Sequence, residues 1–382
     1  GITVEAGSID NIDAAPQDSI NVKLPFNRPL KADGRYFLTV YYTLKAGTVW
    51  AEKGFEVAFA QFELPTAKVE KNVVKKSSLP DICVDKTEKE IIIEGDDFTY
   101  KFDLYRGTFS SLQYNGLAML ESLPKFNVWR APIDNDRYIQ HSWKAEGYDR
   151  LDSHIYSVKI ISEDSKHISI CTEYSLGGYM RKPVIRGNAV WTVYGSGDIY
   201  LETNIKVRED APFLPRFGLQ LSMPKGNELV KYFGYGPHES YIDKHRSCKI
   251  SRYATTVDEM FENYIRPQEN GSHYATEWAA VTNKLGMGLL FVGMDGFSFN
   301  ASHYTPEDLT YACHPYELRK REETIVNIDY MMSGTGSNSC GPELLPQYRL
   351  SQKDIKFRLR IKPVFIEDIS VTDMVNTVIE EE

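Results

Sequence analysis

The repeated alternation of short strand-like runs with turn signals is the feature that most constrains the fold. From about residue 83 to residue 364, β-branched and aromatic runs follow one another, separated by turns such as Tyr194-Gly195-Ser196-Gly197-Asp198. Long helical patterns do not alternate with these runs, which argues against parallel βαβ units. The pattern predicts an all-β chain whose main part is a large antiparallel β-sandwich. The clearest predicted strands are 90–94, 98–105, 154–162, 167–175, 189–193, 199–207, 218–222, 287–293, 324–331 and 355–362.

The chain is predicted to have four parts. Residues 1–65 contain strand-like runs at 19–24, 35–44 and 55–63, too few for the roughly seven strands of a whole immunoglobulin-like sandwich, so we expect a partial one. The Lys-rich residues 66–82 are typical of a linker, residues 83–364 form the large sandwich, and residues 365–382 form a peripheral tail. Two short helices are predicted, one capped by Thr305 and one at 256–261.

Composition excludes several classes of partner. A formal net charge of −9 and the lack of a basic stripe argue against nucleic acid. No apolar run approaches the roughly 18 residues of a membrane span, so we expect no membrane partner. The 5 cysteines are scattered, with no spacing that suggests zinc, and we expect no metal site in this chain. Dispersed thiols favour a reducing compartment, so a cytoplasmic location is expected over a periplasmic or secreted one.

Three loops carry the candidate functional residues. The run 129–136 contains Arg130, Asp134, Asn135 and Asp136, and the run 235–243 contains Glu239, Tyr241 and Asp243. Both either line a site or interface, or form internal salt-bridge networks that shape a turn. The third loop, 334–342, begins with G-x-G-x-x-S, but its ending Cys340-Gly341-Pro342 prevents the helix that a nucleotide loop requires.

Signs of catalysis are weak. Glycoside hydrolysis needs two carboxylates, and spacing in sequence cannot select a pair from 53 acidic residues. The dipeptide Asn227-Glu228 lies in a turn that gives it no catalytic context, and neither H-E-x-x-H nor G-x-S-x-G occurs.

Read in order, a series of short runs resembles the C-terminal part of the β-galactosidases of glycoside hydrolase family two. The resemblance implies the later part of an immunoglobulin-like fourth domain, followed by a terminal domain similar to the galactose-mutarotase superfold. It also implies that the catalytic TIM barrel, with both catalytic carboxylates and its magnesium (sodium being a second candidate ion), is absent from this chain. We therefore expect no catalytic residue and no cofactor here. The matching runs are 50–54, 130–136, 143–147, 215–218, 234–241, 267–271, 327–329 and 340–342.

The resemblance also implies a binding role for the loop 334–342. In the family, this loop places a Trp at the edge of the galactose pocket, and the matching position here is Cys340. A thiol offers no broad aromatic face to a sugar, so Cys340 and Asn338 are predicted to contact substrate only at the pocket edge. The residues expected to support this loop or the barrel interface are Arg130, Asp134, Asn135, Asp136, Glu239 and His314.

The expected function is that of a non-catalytic C-terminal portion of a retaining β-galactosidase acting on terminal β-galactosides such as lactose. It would complete the barrel's substrate pocket and support assembly of a homo-oligomer, and the chain alone would be inactive. Two alternatives remain open: a free-standing aldose epimerase-like enzyme, which would need a His and Glu acid/base pair, and a carbohydrate-binding or assembly module.

Overall fold

A computed structural model of the protein describes residues 2–10, 12–25, 34–66, 71–366 and 370–380. It divides into two compact units, Gly1–Lys71 and Asn72–Glu382. The strands are β1 Tyr36–Thr43, β2 Glu56–Leu64, β3 Asn72–Lys75, β4 Cys83–Lys86, β5 Glu90–Glu94, β6 Phe98–Asp103, β7 Thr108–Tyr114, β8 Leu117–Ala118, β9 Ser122–Asn127, β10 Asp152–Glu163, β11 His167–Gly177, β12 Ile185–Tyr194, β13 Ile199–Val207, β14 Arg216–Met223, β15 Leu229–Gly236, β16 Lys249–Thr256, β17 His273–Thr282, β18 Met287–Ser302, β19 Thr324–Met332, β20 Asp354–Phe365 and β21 Thr377–Glu380. The α-helices are α1 Ile139–Glu146, α2 Pro306–Tyr311 and α3 Val371–Asn376.

The first unit contains a two-stranded antiparallel sheet of β1 and β2. Apolar side chains on this sheet remain exposed, with Tyr42 and Val57 both 57% accessible. A two-stranded sheet cannot by itself enclose a core, and a partial immunoglobulin-like sandwich stays a prediction for this unit. Residues 19–24, predicted as a strand, take no strand structure and pair with no strand in the described part of the chain.

The second unit is built around one 12-stranded sheet. Its main path runs β10-β11-β12-β13-β20-β18-β17-β15-β16, and every pairing on it is antiparallel. The long strand β18 changes partners along its length: residues 287–293 pair with β20, whereas residues 298–302 pair with β19. Through β19 the sheet continues into β14 and β9. The prediction of a mainly β chain whose large part is antiparallel is therefore confirmed.

Alternating burial explains how the sheet encloses its core. In β13 the apolar residues Ile199, Leu201 and Ile205 are buried, while the polar positions between them are mostly half-buried. A five-stranded meander, β4 to β8, covers part of the sheet. Phe109 of the meander packs edge-on against Trp191 of β12, with ring centroids 5.4 Å apart.

Residues predicted as linker and tail take regular structure in the second unit. Strand β3, from the predicted linker, pairs in parallel with β21, from the predicted tail. Helix α3 precedes β21, and its Met374 is buried. The four domain boundaries stay a prediction.

The two helix predictions have different outcomes. Helix α2 begins as expected, because the hydroxyl of Thr305 accepts the N–H of Asp308 and the Asp308 carboxylate accepts the N–H of Thr305. The helix predicted at 256–261 is wrong: β16 runs to Thr256 and a hydrogen-bonded turn follows. Glu259 accepts the N–H of Thr256 and so stabilises that turn.

Candidate functional site

The loop between β19 and β20, residues 334–342, is held at its base by Arg130. This side chain is fully buried and donates hydrogen bonds to the carbonyls of Ser333 and Gly334, the latter at 3.0 Å. Asp136 orients it through two bonds, Nε to Oδ2 at 3.1 Å and Nη2 to Oδ1 at 2.8 Å. The guanidinium also lies 5.6 Å from the ring centroid of Trp143. The position of the loop base is therefore fixed by a charge-assisted network.

Asp243 holds the next part of the same loop from another direction. Its carboxylate accepts the backbone N–H of Thr335 at 2.8 Å and that of Gly336 at 2.7 Å. The approach is close enough that a Cβ at position 334 would lie 2.6 Å from the carboxylate. A side chain at position 334 would therefore displace the Asp243 carboxylate from the loop.

Asn135 is the third anchor and reaches further along the loop. Its Nδ2 donates to the carbonyl of Gly336 at 2.6 Å, and its Oδ1 accepts the N–H of Ser339 at 3.1 Å. Beyond these contacts the loop turns back: the N–H of Cys340 donates to the carbonyl of Ser337 at 3.3 Å. Cys340 is exposed and Asn338 is half-buried. The loop thus presents a projecting tip on a rigid base.

The other predicted supporting residues have more distant roles. The N–H of Asp134 donates to Oε1 of Gln268 at 3.3 Å, while the residue itself is exposed. His314 follows α2, is exposed, and lies with its Nδ1 3.1 Å from Glu317 Oε1. No contact in the described part of the chain joins His314 to the 334–342 loop.

Glu239 is buried and holds a neighbouring turn. It accepts the N–H of Gly271 at 2.9 Å and the ammonium of Lys244 at 2.5 Å, and also the hydroxyls of Tyr264 and Tyr241. Gly271 has a φ of +69°, a conformation that side chains disfavour. Because every side of the carboxylate is occupied by a donor, Glu239 is arranged to shape the turn.

A buried charge cluster lies beneath the loops and was not among the residues singled out from sequence. Arg216 donates to Oδ2 of Asp329 at 2.7 Å and to Oε2 of Glu269 at 3.2 Å, and all three side chains are buried. Burial raises the pKa of both carboxyls, and the nearby positive charge of Arg216 opposes this rise only in part. The cluster joins β14, β19 and the turn before β17.

The signal for these residues is present in the sequence. Asp243 lies in the candidate run 235–243, and Arg216, Glu269 and Asp329 lie in the runs 215–218, 267–271 and 327–329 that carry the resemblance. Nothing local to any of them distinguishes an anchor from a surface charge, so only the tertiary structure selects them.

The polar side chains of this region hold backbone segments in place. The carboxylates of Asp136, Glu239 and Asp243 are engaged by donors, whereas a glycosidase needs two carboxylates facing the substrate. Within the described ranges, no group of three or more His, Cys, Asp or Glu side chains is placed to hold a metal ion. Asn227 bonds the carbonyl of Pro224 at 2.8 Å, as expected for a turn residue. The exposed tip offers amide, hydroxyl and thiol groups to a ligand or another domain.

Two further observations concern the chain as a whole. All 5 cysteines are free thiols. Among the residues described, no helix has the length and apolar character needed to cross a bilayer.

Comparison with known proteins identifies the family. The sequence profile described as beta galactosidase small chain matches residues 94–361, and that of β-galactosidase domain 4 matches residues 1–65. A β-galactosidase of Actinobacillus pleuropneumoniae is 33% identical over 94% of this chain and 35% of its own length. One of Staphylococcus xylosus is 35% identical over 84% of this chain and 32% of its own. The chain thus spans about a third of the length of these relatives.

Similarity to solved structures is weaker. A galactose 1-epimerase from Lactobacillus acidophilus NCFM is 10% identical, with a TM-score of 0.37 over 75% of this chain and 99% of that one. A likeness at this TM-score supports no statement about function. The profile match over most of the chain is decisive: the chain belongs to the family of the β-galactosidase small chain, the C-terminal part of a β-galactosidase.

Proposed function

We propose that this chain is the non-catalytic C-terminal portion of a retaining β-galactosidase that hydrolyses terminal β-galactosides such as lactose. The observation that carries the proposal is the 334–342 loop, whose base is anchored by Arg130, Asn135 and Asp243 while its tip projects. A preorganised loop of this kind suits a contact that must be accurately placed. The name of the relatives, β-galactosidase, supplies the reaction.

In this proposal the tip completes the substrate pocket of a TIM-barrel domain that lies outside this chain. Cys340 and Asn338 contact the galactoside at the pocket edge, and the catalytic carboxylates belong to the barrel. Magnesium, and sodium if the enzyme uses it, would also bind in the barrel. The described residues of this chain present no cluster suited to such an ion. Arg130, Asn135, Asp136 and Asp243 position the tip through its backbone.

Assembly and location follow from the same proposal. The second role of the chain is to support a homo-oligomer of the full enzyme. The 5 free thiols support a cytoplasmic location, since scattered unpaired cysteines persist in reducing compartments.

The test is activity by complementation. This chain is assayed for β-galactosidase activity alone, and again after it is mixed with a separately produced portion that contains the barrel. Activity only in the mixture is expected. Hydrolysis by this chain alone would contradict the proposal, because both catalytic carboxylates would then have to lie within it.

The loop contact is tested in the same mixture. Cys340→Ala is expected to lower kcat/KM about threefold or more, the effect of losing one weak contact to the substrate, while association of the two portions is unchanged. Cys313→Ala is the matched control, because Cys313 is also an exposed free thiol and lies outside the loop. Equal kcat/KM values for the two variants would show that Cys340 does not contact the substrate at the pocket edge.

The alternative of a free-standing epimerase has less support. Its chemistry needs a histidine and a carboxylate that share a cavity. The described contacts between histidine and carboxylate are His167 with Asp164, His303 with Asp258 and His314 with Glu317. None of these residues lines either of the two cavities described for this chain.

A further inference from the structure

The C-terminal strap, residues 370–380, covers an apolar cluster that is separate from the main core of the second unit. Helix α3 of the strap places Met374 in this cluster, where the residue is 5% exposed. Val371 and Val375 pack beside it and are half-buried. Within the described ranges, no strand of the main sheet pairs with β21, so removing the strap would uncover apolar surface without breaking a ladder of that sheet. The other buried members of the cluster are Trp278, Ala280, Leu290, Val292 and Val364.

Strand β21 of the strap is paired with β3, the first strand of the second unit. The two strands run parallel, with Thr377 opposite Asn72 and Glu380 opposite Lys75. They form a sheet of their own, and β3 has no other strand partner in the described part of the chain. Because two strands alone are only marginally stable in water, the order of β3 depends on what holds β21 in place.

Arg360 of β20 connects the strap to the main sheet. Its guanidinium donates to the carbonyl of Met374 at 2.8 Å and to that of Thr377 at 2.7 Å. These two carbonyls lie in α3 and at the start of β21, so one side chain fixes the position of both elements. The apolar cluster and Arg360 therefore hold the strap, and the strap holds β3.

The residues that follow β3 have a different set of anchors. The N–H of Ile82 donates to the carbonyl of Ser165 at 2.7 Å. Leu79 is 6% exposed, and its carbonyl accepts the ammonium of Lys166 at 2.7 Å. These contacts are made with the turn between β10 and β11 and involve no residue of the strap. Strand β3 and the residues after it are therefore held by different parts of the molecule.

We propose that the C-terminal strap and β3 form one cooperative unit, which detaches reversibly from the second unit while the main sheet stays intact. In the detached state Trp278 and its apolar neighbours face water, and residues 72–75 lose their pairing. Segments that bury little apolar surface open in this way well before global unfolding. The observation that carries the proposal is that the strand partner of β3 belongs to a segment with its own anchors, Met374 and Arg360. The order of β3 is thus conditional on the C-terminus.

Hydrogen exchange of the full chain tests the coupling. Met374→Ala removes most of the side chain that anchors the strap. Exchange at residues 72–75 and 377–380 should rise together, by about tenfold or more, while exchange at Ile82 stays unchanged. Met180→Ala is the matched control, because Met180 is 88% exposed and should leave all of these amides unaffected. Faster exchange at 377–380 without a matching rise at 72–75 would overturn the proposal.

A chain that ends at Ser370 tests the detachment. It should keep the slow exchange of the main sheet and of Ile82 but lose that of residues 72–75. Its tryptophan fluorescence should shift to longer wavelength as Trp278 enters water, and adding Trp278→Phe should abolish that shift. Persistent slow exchange at residues 72–75 would refute the proposal, because β3 would then be held by other contacts. Loss of slow exchange throughout the main sheet would also refute it, because the strap would then belong to the core.

Discussion

At the scale of single residues, the molecule relies on buried polar side chains that each tie several backbone segments together. Arg130 makes four hydrogen bonds while fully buried, two to Asp136 and two to the carbonyls at the start of the 334–342 loop. The sequence left open whether the run 129–136 forms an internal salt-bridge network or lines a site. The contacts show an internal network, and this network itself positions the exposed 334–342 loop.

His273 gives a prediction of pH dependence at this scale. Burial lowers its pKa to about 4. The hydrogen bond between Nδ1 and the carbonyl of Tyr235 raises the pKa and so opposes this shift only in part. An unfolded histidine titrates near 6.5, so below that pH the unfolded state binds a proton that the folded state does not bind until about pH 4. The free energy of unfolding should therefore fall as pH drops from about 6.5 to 4, by at most about 3 kcal/mol from this residue.

Urea unfolding across that pH window tests the His273 prediction. In His273→Phe the fall between neutral and acidic pH should be smaller than in the parent protein. His154→Phe is the control, because His154 is exposed and should leave the pH profile unchanged. A His273→Phe profile parallel to that of the parent would rule out this histidine as a source of acid sensitivity.

At the scale of elements, the 334–342 loop is held by side chains from two other loops, the one before α1 and the one after β15. Asp243→Asn should loosen this loop, because the carboxylate accepts two backbone N–H groups and an amide supplies only one oxygen. Loss of about one such bond predicts roughly tenfold faster hydrogen exchange at Thr335 and Gly336.

The matched control is Asp295→Asn, because the Asp295 carboxylate of the parent protein bonds the exposed Arg358 at 2.9 Å. This substitution should leave hydrogen exchange in the 334–342 loop unchanged. If Asp243→Asn gives the same exchange rates as Asp295→Asn, the loop is held by its other anchors and Asp243 is dispensable.

At the scale of the whole second unit, one buried arginine connects the sheet to the C-terminal segment. Arg360 of β20 bonds Asp198 at 2.6 Å and the carbonyls of Met374 and Thr377 at 2.8 and 2.7 Å. Burial alone would raise the pKa of Asp198, but Lys362 and Arg360 together lower it. Arg360→Ala should reduce the free energy of unfolding by about 3–5 kcal/mol, the usual effect of breaking a buried ion pair, and expose residues 370–380 to proteolysis.

Strand β20 itself provides the control for Arg360. Arg358 lies two residues earlier and pairs with Asp295 at the surface, with the two side chains 43% and 66% exposed. Arg358→Ala should change stability by about 0–1 kcal/mol, because exposed ion pairs contribute little. Equal losses for the two variants, measured by denaturant unfolding, would contradict the central role of Arg360.

The local chemistry of the sequence predicted a useful part of the fold. The β-branched and aromatic runs at 90–94 and 199–207 gave strands with the observed ends, and the cap at Thr305 gave the start of α2. Helix α1 was missed, although Gly147 ends it in a left-handed conformation. The run at 256–261 does not form a helix, because the Glu259 carboxylate accepts the N–H of Thr256 and stabilises a turn there.

The sequence by itself determined the antiparallel all-β class and the loops in which charged residues concentrate, because strand propensity and turn chemistry act over a few neighbouring positions. Only the tertiary structure decided that Asp243, 92 positions from Thr335, would hold that residue, and that Arg216 would lie between Asp329 and Glu269. Such pairings depend on which distant strands and loops become neighbours in the fold, and local strand and turn preferences do not specify that.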